Sequence, residues 1–252
     1  MSPNVTTTSE GDLAVVAIER PERRNALDAE TAGAVAEAIR AAGDQHRVVI
    51  VTGSGGSFCA GGDLDELEAW SSQEPRAIGD KLYGTFQNMI RNIKRSDAVV
   101  IAAVGGPAVG AGMDLALACD LRIASESARF GQVWVRLGVI PGTGGAFLTQ
   151  LLAGPTKAAE LLLTGELISA PEALEAGLVN EVVPDEQLLD AARSLAQRIL
   201  RHPKDGVSAN KRAIVAAQTE ALEAALDHAR QVQPGRFTSD EFKAAVKAAK
   251  SR

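Results

Sequence analysis

Two glycine-rich bends hold the residues best suited to chemistry in this sequence. The first runs Gly55-Gly56-Ser57-Phe58-Cys59-Ala60-Gly61-Gly62-Asp63-Leu64. The second lies within Val104 to Asp120, with Gly110-Ala111-Gly112 at its turn. Each follows an apolar run, Val48 to Thr52 and Ala98 to Val104, of the kind that forms a buried strand, and each opens into a helical segment. The first N–H groups of a helix have no intrahelical partner and lie at the positive end of its dipole. Glycine on both sides of Ala111 lets a ligand approach that backbone closely. One such bend could be no more than a tight packing turn. Two in one chain can supply convergent N–H donors to an oxygen that becomes negative during a reaction. Asp114 lies in the first turn of the second helix and is the only acid between Asp97 and Asp120. It is a candidate base, or else a residue that caps its helix and favours the dipole.

These segments and three others resemble the crotonase superfamily, the enoyl-CoA hydratase/isomerase family, in the same order along the chain. Arg20-Pro21-Glu22-Arg23-Arg24-Asn25-Ala26-Leu27 resembles its first CoA-contacting turn. Phe130-Gly131-Gln132 with Arg136 to Gly145 resembles the segment closing the acyl pocket, and Leu163 to Val179 the stretch leading into the last helices. The resemblance implies an acyl-CoA enzyme whose substrate is a coenzyme A thioester, with no permanently bound cofactor and no metal. It implies that the thioester oxygen sits between the amides of Gly62 and Ala111. The carbonyls of Ala26 and Ala60 would face the adenine, and Arg23 or Arg24 the phosphates. It also implies a homotrimer or a dimer of trimers.

The sequence departs from the family where the proton chemistry belongs. Hydratases of this family hold a water between two glutamates, and those positions are Asp114 and Trp134 here. One acid is a methylene shorter and the other is replaced by an indole, which excludes water and offers a flat wall to a planar acyl group. Efficient hydration lacks its second proton-handling group. Dehalogenation as in the family's 4-chlorobenzoyl-CoA members is disfavoured, because no histidine lies between His46 and His202. The reading is therefore an enzyme that stabilises a thioester enolate with one acid. The alternatives are a non-catalytic acyl-CoA-binding relic, or an isomerase or decarboxylase acting on an aromatic or planar acyl-CoA.

The elements that must position these residues read as α/β. The strand and helix pattern suggests a layered ββα core over residues 1–184, which the resemblance implies is a crotonase-like spiral, and a strand-free helical region at 185–252, which the resemblance implies is the trimerisation region. Leu13 to Glu19 and Arg47 to Thr52 read as strands, with a helix from the Asp28 cap to Ala42 between them. Ser71 to Asp80, with Pro75 and Gly79, reads as a mobile segment. Leu82, Phe86, Met89, Ile90 and Ile93 share one helical face. After Pro184 three helices follow, with apolar stripes at Leu188, Leu195 and Ile199 and at Ile214, Leu222 and Leu226. Phe237 to Arg252 departs from the family pattern. The net charge of −6 argues against nucleic acid as a partner, which needs a basic footprint on the protein. No apolar run reaches the ~18 residues of a membrane helix, and Met1 to Glu10 lacks a signal peptide's apolar region. A cytoplasmic location follows as the expectation. Cys59 and Cys119 read as reduced packing residues.

Overall fold

In the computed structural model, residue 2 and residues 4–251 are described; the side chains of Lys81 and Leu82 lie outside the described part. The chain opens with β1 (Val5–Glu10), β2 (Leu13–Ile18), α1 (Ala29–Gln45), β3 (Val48–Gly53), α2 (Leu64–Trp70), α3 (Pro75–Arg95) and β4 (Val99–Val104). It continues through β5 (Pro107–Val109), α4 (Ala111–Ala118), β6 (Leu121–Ser125), β7 (Arg129–Gly131), α5 (Gly145–Thr164), β8 (Ile168–Ser169), α6 (Ala170–Glu175) and β9 (Glu181–Val183). Four helices end it: α7 (Leu188–Leu200), α8 (Lys204–Ala216), α9 (Thr219–Phe237) and α10 (Asp240–Lys250).

The strands form a six-stranded sheet in the order β1-β2-β3-β4-β6-β9 and a three-stranded sheet in the order β5-β7-β8. In the large sheet β1 pairs antiparallel with β2 through the Gly11 turn, and the other pairings are parallel. Parallel strands need both faces covered, which is why β3 from Val48 to Val51 and the whole of β4 are apolar. Val49, Val51, Val100, Ala102 and Val104 face a core shared with α1, α3 and α4. Val48, Ile50, Val99, Ile101 and Ala103 face the other way and are covered by Leu188, Ala192 and Ala196 of α7.

Three elements differ from the sequence reading. The polar start of the chain is strand β1, whose run of three threonines, Thr6 to Thr8, follows Val5, its one buried residue. Helix α3 begins at Pro75, so Pro75 to Asp80 is its first turns and not a loop; proline suits the first helical position, where an N–H is not needed. The tail forms α10, capped by the Ser239 side chain on the Phe242 N–H. The last helices also cover their own chain: Leu222, Leu226, Phe237 and Phe242 are all buried in the main core. Ile214 on α8 stays 62% exposed. Among the described residues, no helix is long and apolar enough to cross a membrane.

Candidate active site

The two glycine bends meet. Cys59 bridges Ala108 in parallel, with the Cys59 N–H donating to the Pro107 carbonyl at 2.9 Å and the Val109 N–H to the Cys59 carbonyl at 3.1 Å. The backbones approach so closely that a Cβ on Gly112 would collide with the Cys59 carbonyl oxygen. Gly61, at φ +93°, has no room either: its Cβ would lie 2.8 Å from the Val109 carbonyl oxygen. From the other side, Leu27 holds the first bend, its N–H donating to Gly61 O at 2.7 Å and its carbonyl accepting from Asp63 N–H at 2.8 Å. Among the described residues the N–H groups of Gly62 and Ala111 have no hydrogen-bond partner, and both residues line one cavity of about 580 Å³. Ala111 is the first residue of α4, so its N–H is one of the donors a helix leaves unpaired.

Arg24 and Ala60 line the same cavity. Arg24 is exposed and has no ion pair among the described residues, whereas Arg23 is bound to Asp65 at 2.8 Å. Ala26 does not line the cavity, and its carbonyl accepts from Arg20 Nη1 at 2.6 Å. Arg20 also pairs with Asp28 at 3.0 Å and Asp63 at 3.2 Å, clamping the first turn to the first bend. The sequence reading missed this clamp. The cavity is closed partly by the chain's own C-terminal helix, through Ala245, Ala248 and Ala249. Lys250 fastens that helix to α2 through Asp65 at 2.7 Å and through Glu68. An edge-on aromatic series, Phe86–Trp70–Phe237–Phe242, packs beneath with ring centroids 5.0–6.0 Å apart.

Trp134 is 8% exposed, lies in a 3-10 turn over Gly110 and forms a wall of the cavity. A second pocket of about 10 Å³ shares Gly62, Leu67 and Trp134 with the first, and Gly142 and Thr143 also line it. Asp114 lines neither and is wholly buried. Its Oδ2 accepts from the Thr143 hydroxyl at 2.5 Å, and its Oδ1 from Gln132 Nε2 at 2.9 Å. The Gly145 N–H at the start of α5 also favours its charged form, so a second helix N-terminus points at it. A side chain at 145 would occupy the place of Oδ1. Burial nevertheless outweighs these donors and pushes the Asp114 carboxyl up to about 6. The Trp134 indole N–H lies near enough to favour the carboxylate slightly, yet makes no hydrogen bond.

A larger cavity of about 710 Å³ lies between the end of α4, α5 and α8. It contains neither glycine bend, and its charges are largely spent. Lys211 is held by Asp120 at 2.7 Å and by two backbone carbonyls, and Arg122 donates to the carbonyls of Cys119 and Leu178. The two buried thiols are inert, pushed up to about 12 by burial. The half-buried His46 and exposed His202 and His228 lie outside the 580 Å³ cavity.

A sequence model of the family described as enoyl-CoA hydratase/isomerase matches residues 8–251. The chain belongs to the enoyl-CoA hydratase/isomerase family. This family member is 39% identical to a crotonyl-CoA hydratase of Syntrophomonas wolfei over 93% of its own length and 88% of the relative's. It is 34% identical to a 1,2-epoxyphenylacetyl-CoA isomerase of Escherichia coli, over 95% and 92%. The crystal structure of an enoyl-CoA hydratase from Bacillus halodurans superposes with a TM-score of 0.91 at 25% identity, covering 97% of this chain and 99% of that one. Pseudomonas aeruginosa OdaA superposes with a TM-score of 0.90 at 30% identity over the whole of both chains. The crotonase fold expected from the five ordered motifs is the fold observed, and the enzyme belongs among acyl-CoA hydratases and isomerases. Helix α10 of this family member folds over its own cavity.

Proposed function

We propose that this enzyme forms a thioester enolate from an acyl-CoA with one proton-transfer acid, Asp114, and one oxyanion hole, the N–H groups of Gly62 and Ala111. The observation that carries the proposal is the pair of unpartnered amides on one cavity, with a buried acid of pKa about 6 one residue behind its wall. Two preorganised donors stabilise the enolate oxygen more than the ground-state carbonyl, and each contributes roughly 3 kcal/mol in comparable sites. A carboxyl near 6 is matched to taking and returning a proton at neutral pH. Arg24 and Ala60 are placed to meet the CoA, Arg24 by its free charge; Arg23 is committed to Asp65, and Ala26 contributes to the turn that holds the cavity.

With Trp134 where a second carboxylate would stand, the proton chemistry is a single abstraction and return, which favours double-bond isomerisation over water addition. A 1,2-epoxyphenylacetyl-CoA isomerase stands among the relatives, and the Trp134 wall supports a planar acyl group as the second reading. We further propose a cytoplasmic homotrimer or dimer of trimers, assembled through α8, whose Ile214 is exposed. Sedimentation showing a monomer at micromolar concentration would contradict that assembly.

The test is incubation with 2-enoyl-, 3-enoyl-, aryl- and malonyl-type CoA esters in deuterated water, followed by mass spectrometry. Conversion or deuterium uptake supports the proposal. Binding with neither reverts the protein to an acyl-CoA binder, and absence of binding removes the reading altogether.

A further inference from the structure

We propose that Thr143 is a catalytic residue of this enzyme, carrying the proton between the acyl group and Asp114. The inference rests on the enolate reading above and names the group that touches the substrate. Asp114 has no access of its own. It lines neither the 580 Å³ cavity nor the 10 Å³ pocket, and Trp134 stands between it and the larger space. Of the residues hydrogen-bonded to its carboxylate, Gln132 and Gly145 also line neither. Thr143 does: its hydroxyl donates to Asp114 Oδ2 at 2.5 Å, and the residue lines the same small pocket as Gly62, one of the two oxyanion donors.

The hydrogen-bond inventory of that hydroxyl fits a relay. A threonine hydroxyl has one donor and two lone pairs. The donor is spent on Asp114, and no described group donates to Thr143 Oγ1: Gln132 Nε2 donates to Asp114 and Thr149, and the Gly145 N–H faces Asp114. The lone pairs of Thr143 Oγ1 are thus unused among the described residues, on a residue that lines the pocket. A distance of 2.5 Å is that of a strong bond from a hydroxyl to a carboxylate, the geometry in which a proton passes readily.

The step balances in one concerted movement. A proton leaves the carbon next to the thioester carbonyl, or its vinylogous γ-carbon, for Thr143 Oγ1 as the hydroxyl's own proton passes to Asp114 Oδ2. The C–H electron pair becomes the π bond of the enolate, whose oxygen is held by the Gly62 and Ala111 N–H groups. Return to carbon reverses both transfers. Asp114 is neutralised while the oxyanion hole holds the charge, and no charged side chain is among the groups that perturb it.

Three variants and one isotope measurement test the relay, using the full chain and whichever CoA ester the panel shows to be converted or exchanged. Thr143→Val keeps the shape and removes the hydroxyl; the expected loss is at least about 100-fold in kcat at every pH from about 5 to 9, as for a general acid–base group. Thr143→Ser restores the hydroxyl and is expected within about tenfold of wild type, with the same pH limb. Acyl-CoA affinity should stay within about threefold in both. Asp114→Asn should match Thr143→Val. If Thr143 merely tuned Asp114, the valine variant would move the limb to higher pH and recover the full rate above it; that recovery overturns the relay. A serine variant as inactive as the valine variant overturns it as well. On wild-type enzyme, the step slowed by deuterating the substrate carbon must also be slowed in deuterated water; a step without that solvent effect means Asp114 takes the proton directly. Wild type that turns over no ester overturns the functional reading itself, which the variants alone cannot do.

Discussion

Replacing Asp114 by asparagine should make the protein more stable and the enzyme less active, with a pH dependence that identifies the cause. The carboxyl is held at about 6 in the folded chain against 3.8 unperturbed, chiefly because burial disfavours its charge. The native state therefore binds a proton more tightly than the unfolded one. By linkage, stability falls as pH rises from about 4 through 6 and the loss is complete above about 7. Two pH units at ~1.4 kcal/mol each give about 3 kcal/mol at pH 8, and about half of that at pH 5. Asparagine keeps the geometry: its oxygen can accept from Gln132, and its amide can donate to the Thr143 oxygen, which accepts as readily as it donates. Urea unfolding of both proteins at pH 5 and pH 8, at one protein concentration, gives the difference directly, because every other titrating group cancels. Catalysis by the variant should fall at least about 100-fold. A stability difference independent of pH, or one favouring the wild type at pH 8, would refute the account of a destabilised buried carboxylate.

Other perturbations read other parts of the site. Gly112→Ala should drive the second bend away from the Cys59 carbonyl; a shift of about 1 Å at the oxyanion hole costs on the order of 100-fold, so kcat falls with CoA affinity nearly kept, as turnover and calorimetry would show. Arg24→Ala should weaken CoA binding about ten- to a hundredfold, since a hydrogen bond to a charged group contributes about 1.5–3 kcal/mol. Arg23→Ala loses only an exposed pair with Asp65 and should change it little; calorimetry at two salt concentrations separates them. Trp134→Glu sets a second carboxylate on the cavity wall and should raise crotonyl-CoA hydration above the parent's, while loss of the indole lowers stability by roughly 3–5 kcal/mol.

The spacing of glycines made the two meeting bends legible, because close backbone approach leaves a trace in residue type: Gly61 and Gly112 are glycines for want of space. The strands β3 and β4 were equally legible from unbroken apolar runs. Strand β1 and helix α10 left signals that a fuller reading uses, the threonine run before Gly11 and the Ser239-Asp240-Glu241 cap. What stayed hidden depends on three-dimensional closure. Nothing in the sequence around Arg20 shows that its guanidinium reaches Asp63, and nothing at Thr143 shows that it lies between Asp114 and the pocket. Asp114 itself was found by its place in a helix turn, but its separation from the cavity depends on how Trp134 packs over Gly110.

The proposed oxyanion donors are main-chain atoms, and this has a consequence for how such a protein can change. No substitution at Gly62 or Ala111 deletes an N–H, short of proline, so inheritance acts on the hole only through whether the two bends still fit. The groups proposed to direct the protons are side chains at 114, 134 and 143, each replaceable by a single codon change or two. A lineage can thus exchange its proton traffic, and with it the reaction, while the capacity to stabilise an enolate persists unaltered. Residue 134 is the clearest place to look for such divergence, because an indole there excludes water and a carboxylate would admit it.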